Sequence, residues 1–150
     1  MSLRPTHRVG AVAALRNVKN AIGVARAVFD HTDHSMLVGD QATHFAVQMG
    51  FKKENLTSAW SLNNQKEWQK KKCQPNYWLN VSPDPSSSCG PYKPTKFNLI
   101  ESKVVHSVDE SNHDTIGIIA IDQRGHVACG TSTNGLSHKI PGYEHMRTFW

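Results

Sequence analysis

Long apolar runs are missing from this sequence of 150 residues, and no stretch of it is long or apolar enough to cross a bilayer. Cysteine is scarce, at three residues, which excludes a densely cross-linked scaffold. No internal repeat is visible, which excludes a stacked-repeat array. The opening stretch MSLRPTHRVG has no hydrophobic core of the kind a secretory leader needs, so no signal peptide is expected there. Hydrophobic residues make up 38% of the chain, a low share for a self-contained core, and this length fits one domain or part of a larger one. The net charge of +5 comes from 17 Lys and Arg against 12 Asp and Glu, mostly scattered. Lys66 and Lys70–Lys72 cluster around Trp68 on a predicted helix, and a solvated helix face accounts for them. Neither nucleic acid nor a membrane is expected as a partner. GTSTNG (130–135) is not a phosphate loop, because the Gly-Lys-Ser/Thr close of that motif is absent.

Other features point to the secretory route. Asn55-Leu56-Thr57 is an N-glycosylation sequon, and Asn80-Val81-Ser82 is a second, weakened by the Pro83 that follows. Cys73 and Cys89 bracket a loop rich in Pro and Ser, QPNYWLNVSPDPSSS. A bridge between them would constrain the unfolded loop by roughly 3 kcal/mol in the chain-entropy model. Without one, such a loop has little reason to hold a shape. Cys129 lies mid-strand and reads as a small buried apolar residue.

Residues 11–30 place Leu15, Val18, Ile22, Ala25 and Phe29 at steps of three and four, which predicts one helix face. Gly23 within it suggests close packing against another element. SMLVG (35–39) reads as a short buried strand, and Asp40 as the cap of a second helix over 41–49 with Gly50 just past its end. A polar, lysine-rich helix is expected near 61–72. Five prolines between Pro75 and Pro94 predict a loop, pinned by Tyr77, Trp78 and Tyr92, and 95–114 reads as a mobile surface stretch. Thr115–Ile121 and His126–Ser132 then predict a hairpin around Asp122-Gln123-Arg124-Gly125. TIGIIAI is apolar on both faces, so this strand is expected to be covered on both. Only two convincing strands appear, too few for the early helices to cover, and the chain reads as the middle of something larger.

The chemistry concentrates where that hairpin opens, at His113-Asp114-Thr115. A threonine hydroxyl is a poor nucleophile until a base takes its proton. If Thr115 became a chain terminus, its own α-amine, with a pKa near 8, would be that base. Thr115 Oγ would first attack the Asp114 carbonyl carbon and shift the acyl group from nitrogen to oxygen, and water would hydrolyse the ester. The Asp114 side chain could help as base or by straining the bond, and His113 is a spare base whose role its position alone does not assign. Thr131 and Thr133 share one face of the return strand, with Ser132 on the other, and a hydroxyl there could hydrogen-bond Thr115 and orient it.

The stretch HDTIGIIAIDQRGHVACGTSTNG resembles the catalytic junction of the glycosylasparaginase family of N-terminal-nucleophile amidohydrolases. VGAVAALRNVKNAIGVARAV, LVGDQATHFAVQMGF, CQPNYWLNVSPDPSSSCGPYKP and HKIPG resemble stretches of the same family in the same order, so the likeness spans about Arg8 to Gly142. The Cys-bounded loop sets this likeness apart from the related asparaginases and isoaspartyl peptidases. The resemblance implies an α/β fold that is part of an αββα sandwich, a helix layer plus the hairpin of the central sheets. It implies one partial domain over 1–150: 8–114 from the end of an α chain, 115–142 from the start of a β chain, and 143–150 a divergent tail. It implies self-cleavage at Asp114-Thr115 and attack by Thr115 on the side-chain amide of a glycosylated asparagine, with no metal or organic cofactor. Thr133 matches the threonine beside the family nucleophile, and Cys73 and Cys89 match a family disulfide. The setting implied is the lysosome and the breakdown of N-linked glycoproteins, by αβ heterodimers that pair.

Departures from the family are equally visible. MSLRPTH stands where the family has a longer region with a signal peptide and core strands. Tyr143 stands where the family carries an arginine that grips the substrate carboxylate, and YEHMRTFW contains neither the following substrate-binding Asp nor the Thr-Gly oxyanion segment. Losing one oxyanion donor costs about 10²–10³ in rate. The expectation is therefore that this chain by itself lacks turnover, and an inactive truncated fragment is the competing reading.

Overall fold

In a computed structural model, residues 8–96 and 115–142 are described here. They form a small α/β structure of three helices and three two-stranded sheets. The chain falls into two compact units, one over 8–56 and 115–134, the other over 57–96 and 135–142.

The first unit starts with β1 (Ala11–Ala13), helix α1 (Ala21–His31) and β2 (Met36–Val38). The two strands pair in parallel, with Ala11 opposite Met36 and Ala13 opposite Val38, a geometry that needs a crossover and here uses α1. This corrects the single helix expected over 11–30. Ala14 (φ 51°) and Asn17 (φ 59°) turn the backbone left-handed between strand and helix. The helix begins only where the Asn20 side chain accepts from Gly23 N at 3.0 Å. The spacing of three and four misled because Leu15 and Val18 enter the same core as α1 from a loop, beside Val24 and Ala46. The periodicity registered burial, not helix.

At Gly23 the atoms nearest an added Cβ are those of the capping Asn20 side chain, from 2.6 Å. The close approach is at Gly10, where a Cβ would stand 2.6 Å from Phe29 Cβ and 2.7 Å from Phe29 N of α1. Phe29 is buried there, with the Arg8 and Arg26 guanidinium groups 5.1 and 5.5 Å from its ring centroid.

Helix α2 (Gly39–Gln48) follows β2 directly. Asp40 is not its cap. Val38 occupies that position without a side-chain bond, and Asp40 lies in the first turn, where its charge suits the helix dipole. Gly50 (φ 87°) ends the helix in the left-handed conformation as expected. Thr43 Oγ1, almost wholly buried, accepts from Arg16 N at 3.0 Å and donates to Gly39 O at 3.3 Å, which ties the 14–19 loop to α2. Ala42 and Ala46 are fully buried on the same helix.

The second unit has a different basis. Its helix α3 (Ala59–Lys70) buries no residue and is fixed at its start by a reciprocal cap between Ser58 and Ser61. Cys73 and Cys89 are disulfide-bonded, and Gln74 N donates to Cys89 O at 2.8 Å inside the ring they close. The proline-rich loop is not wholly irregular: β3 (Val81–Ser82) pairs antiparallel with β4 (Lys93–Pro94). Trp78 lies tilted against Tyr92 with ring centroids 5.7 Å apart. Asn76 holds residues far along the chain, its N–H donating to His138 O at 2.8 Å and its side-chain amide to Ser137 O at 3.2 Å. His138 in turn stacks on Trp68 at 4.6 Å between centroids. Every buried hydrophobic residue among those described lies between Ala13 and Phe29 or at Ala42 and Ala46, so this unit rests on the bridge, rings and polar contacts.

The first unit closes with β5 (Thr115–Ile121) and β6 (Val127–Thr133), an antiparallel hairpin one residue offset from the expected second strand. Its three-residue loop ends in left-handed Gly125 (φ 80°), the arrangement that matches strand twist. Asp122 Oδ1 accepts from Arg124 N at 2.8 Å and from His126 N at 2.9 Å. The expectation that β5 is covered on both faces is corrected. Ile116, Ile118, Ile119 and Ile121 are 72%, 72%, 69% and 68% exposed. Helix α1 touches the hairpin at Gly130, where a Cβ would stand 3.4 Å from Ile22 Cδ1. The two-faced apolar composition calls for layers that the described residues do not supply.

Candidate active site

Thr115 opens β5, and the register sets Thr133 directly opposite it at the end of β6. Asp122 N donates to His126 O at 3.0 Å, so that outer pair is hydrogen-bonded. Counting back along an antiparallel ladder alternates the pair type, and Thr115 and Thr133 fall on a non-hydrogen-bonded pair, the type whose Cα atoms approach to about 4.5 Å. Both side chains therefore stand close on one face. Thr115 Oγ1 donates to Thr133 Oγ1 at 2.9 Å. Both residues are exposed to solvent in this chain.

Period-two alternation puts Gly117, Ile119, Thr131 and Cys129 on the same face as the two threonines, and Ile116, Ile118, Gly130 and Ser132 on the other. Because α1 meets the hairpin at Gly130, the threonine pair lies on the face turned away from α1. Gly117 pairs with Thr131, so the position next to Thr115 on that face carries no side chain from β5.

His113, Asp114 and Tyr143 lie outside the described residues. Cys73 and Cys89 are brought together in the bridge, apart from the threonine pair in sequence and in the other unit. Asn55 and Asn80 are both exposed and separate from each other along the chain. Among the described residues no group of three or more His, Cys, Asp or Glu is arranged to hold a metal ion. Among the described residues two carboxyls are shifted, both in turns. Hydrogen bonding by the Ser86 backbone and side chain lowers Asp84, and the His126 backbone N–H, with Arg124 N and the His126 ring, lowers Asp122. Neither adjoins Thr115 in the ladder, and both belong to local turn geometry.

The sequence reading missed the Asn76 contacts to residues 137 and 138 and the Trp68–His138 stack. Contacts across about sixty residues leave no local pattern. The Ser58–Ser61 cap had a signal, a serine three residues before another polar residue at the start of a helix.

A family model described as asparaginase matches residues 5–143. The chain belongs to the asparaginase family. Among curated proteins, this asparaginase-family chain is 56% identical over 134 residues to the N(4)-(beta-N-acetylglucosaminyl)-L-asparaginase of Rattus norvegicus. It is also 56% identical over 136 residues to the protein of that name from Mus musculus. Each comparison covers 89% of this chain and 39% of the relative, so the chain spans well under half the length of the proteins it matches. Those relatives are amidohydrolases by name, and their likeness takes in the Thr115 hairpin.

Proposed function

We propose that this chain carries the nucleophile of an N(4)-(beta-N-acetylglucosaminyl)-L-asparaginase-type amidohydrolase. Thr115 is the nucleophile, Thr133 orients it, and a glycosylated asparagine is the substrate. The observation that carries this reading is the 2.9 Å hydrogen bond between the two threonine hydroxyls at the mouth of the hairpin. Support comes from the 56% identity to relatives whose names state that activity.

The chemistry follows from one oxygen used twice. First, Thr115 Oγ attacks the carbonyl carbon of Asp114. The C–N bond breaks as the C–O bond forms, the Thr115 nitrogen takes a proton, and water hydrolyses the resulting ester. Residues 8–114 become the end of one chain and 115–142 the start of another, the α and β pieces of a heterodimer. His113 and Asp114, next in sequence to the broken bond, are its acid–base candidates. Second, the freed α-amine accepts the Thr115 hydroxyl proton, and Oγ attacks the side-chain amide carbon of the glycosylated asparagine. The aminosugar leaves with that proton, and water releases aspartate from the β-aspartyl ester. Thr133 keeps the hydroxyl on the sheet face throughout, which is worth rate because orientation must be held within a fraction of an ångström. In the complete fold the hairpin belongs to the central sheets of an αββα sandwich, in a lysosomal setting, and no cofactor takes part.

A second reading has its own support. The four isoleucines of β5 are exposed, so among the described residues the strand that carries Thr115 is left uncovered. Oxyanion stabilisation depends on donors in a water-excluded site, and a bare strand does not provide one. On this reading the 150 residues alone neither cut nor hydrolyse.

The experiment is release of free aminosugar from a glycosylated asparagine by the purified chain, with Thr115→Ala as control. Release that vanishes in the variant supports the hydrolase. Absent release supports the second reading, and release equal in both removes Thr115 as the nucleophile.

A further inference from the structure

We propose that Asn55, and not Asn80, accepts an N-linked glycan on this chain. Both sequons are complete in sequence, and the fold separates them.

Asn55-Leu56-Thr57 lies in the run between α2 and α3. Every residue from Lys52 to Trp60 is exposed, and 52–58 belong to no helix or strand. Glu54 N donates to Asn17 O at 2.8 Å, which anchors the run just before the acceptor. Thr57 precedes Ser58, the cap of α3, so the sequon ends before helical geometry begins. Its apolar middle residue, Leu56, is about half exposed, and a glycan on the neighbouring side chain would shield it.

Asn80-Val81-Ser82 is built into local structure at each position. Asn80 holds a left-handed backbone (φ 54°), and its carbonyl oxygen accepts from both Thr95 N and Thr95 Oγ1 at 2.9 Å. Val81 and Ser82 are β3, paired with Pro94 and Lys93. The whole sequon lies within the ring closed by Cys73 and Cys89, a separation of 16 residues, and its partners Lys93, Pro94 and Thr95 follow just beyond it. Pro83 follows and restricts Ser82. Transfer needs the hydroxyl two residues on to reach the asparagine amide, and here the hydroxyl residue, Ser82, is paired into β3 and followed by proline.

The Cys73–Cys89 disulfide adds the chemical setting, because such bridges form in the oxidising compartments where glycans are transferred. The donor is a lipid-pyrophosphate-linked oligosaccharide. Asn55 Nδ2 forms a bond to the sugar's anomeric carbon, the bond from that carbon to pyrophosphate breaks, and the amide loses one proton.

The test is to translate the full chain behind a cleavable leader into endoplasmic-reticulum microsomes, scoring only protease-protected chains. A denaturing gel is run before and after an amidase that strips N-glycans. The proposal expects one slower band that the amidase collapses. That band is lost in Asn55→Gln and Thr57→Ala and kept in Thr57→Ser and Asn80→Gln. No slower band, two slower bands, or a band that Asn80→Gln abolishes overturns it. The readout requires neither self-cleavage nor turnover, so it stands apart from the proposed hydrolase.

Discussion

Thr115 Oγ1 donates a hydrogen bond of 2.9 Å to Thr133 Oγ1 across the non-hydrogen-bonded end pair of the β5–β6 hairpin. The bond fixes the Thr115 oxygen on the sheet face and leaves it a lone pair to face an electrophile. Replacing Thr133 by Val keeps the β-branched shape and removes the acceptor. Thr133→Val is expected to slow cleavage at Asp114-Thr115 by about 10²-fold, the scale of a lost positioning contact, while Thr133→Ser keeps most of the rate. Timed denaturing gels of the two variants measure this. Equal rates for Val and the parent would remove Thr133 from the account.

Gly10 lies where β1 meets α1, and the space for a Cβ is already filled by the Phe29 backbone and Cβ. Gly10→Ala should destabilise the first unit by about 1–3 kcal/mol, an overpacking cost. Denaturant unfolding reads it directly. An unchanged midpoint would mean that α1 can slide without penalty.

Breaking the Cys73–Cys89 bridge removes the covalent constraint from a unit with no buried hydrophobic residue among those described. Cys73→Ser with Cys89→Ser is expected to cost about 3 kcal/mol and to open residues 74–92 first. Limited proteolysis should place the new cuts there, while amide exchange in α1 and α2 stays slow. Cuts that appear first in α1 would contradict the division of labour between the units.

Asp122 closes the hairpin turn as a carboxylate, and the His126 N–H, foremost, holds its carboxyl below the ordinary 3.8. A lowered folded pKa means that the contribution is present above the unfolded value, about 3.9, and is lost as pH falls through the folded value. Protection of the Gly125 and His126 amides should therefore be level near neutrality and fall only in acid below pH about 4. Asp122→Ala should abolish that acid dependence. The same dependence in the variant would assign it to another group.

Much of this was legible in the sequence, for reasons that differ by element. The hairpin was readable because a four-residue polar break separates two strand-like runs, but the expected strands set 132 opposite 115, and the observed offset of one residue is what brings Thr133 there. Helix α2 was readable from its own period and from Gly50. Helix α1 was misjudged because burial of Leu15 and Val18 imitates a helical stripe, and only the left-handed Ala14 and Asn17 break it. The cover expected over TIGIIAI did not materialise, since a strand's composition registers the environment it suits, not whether this chain supplies it. The link from Asn76 to His138 was invisible because nothing local encodes a contact at such separation.

The account depends on the Thr115 oxygen acting as a nucleophile, and N-terminal sequencing of the purified chain after incubation tests this most directly. The account predicts two pieces, the second beginning Thr-Ile-Gly-Ile, and a single uncut chain for Thr115→Ala. A parent chain that stays whole, or one cut at the same bond when Thr115 is Ala, contradicts it.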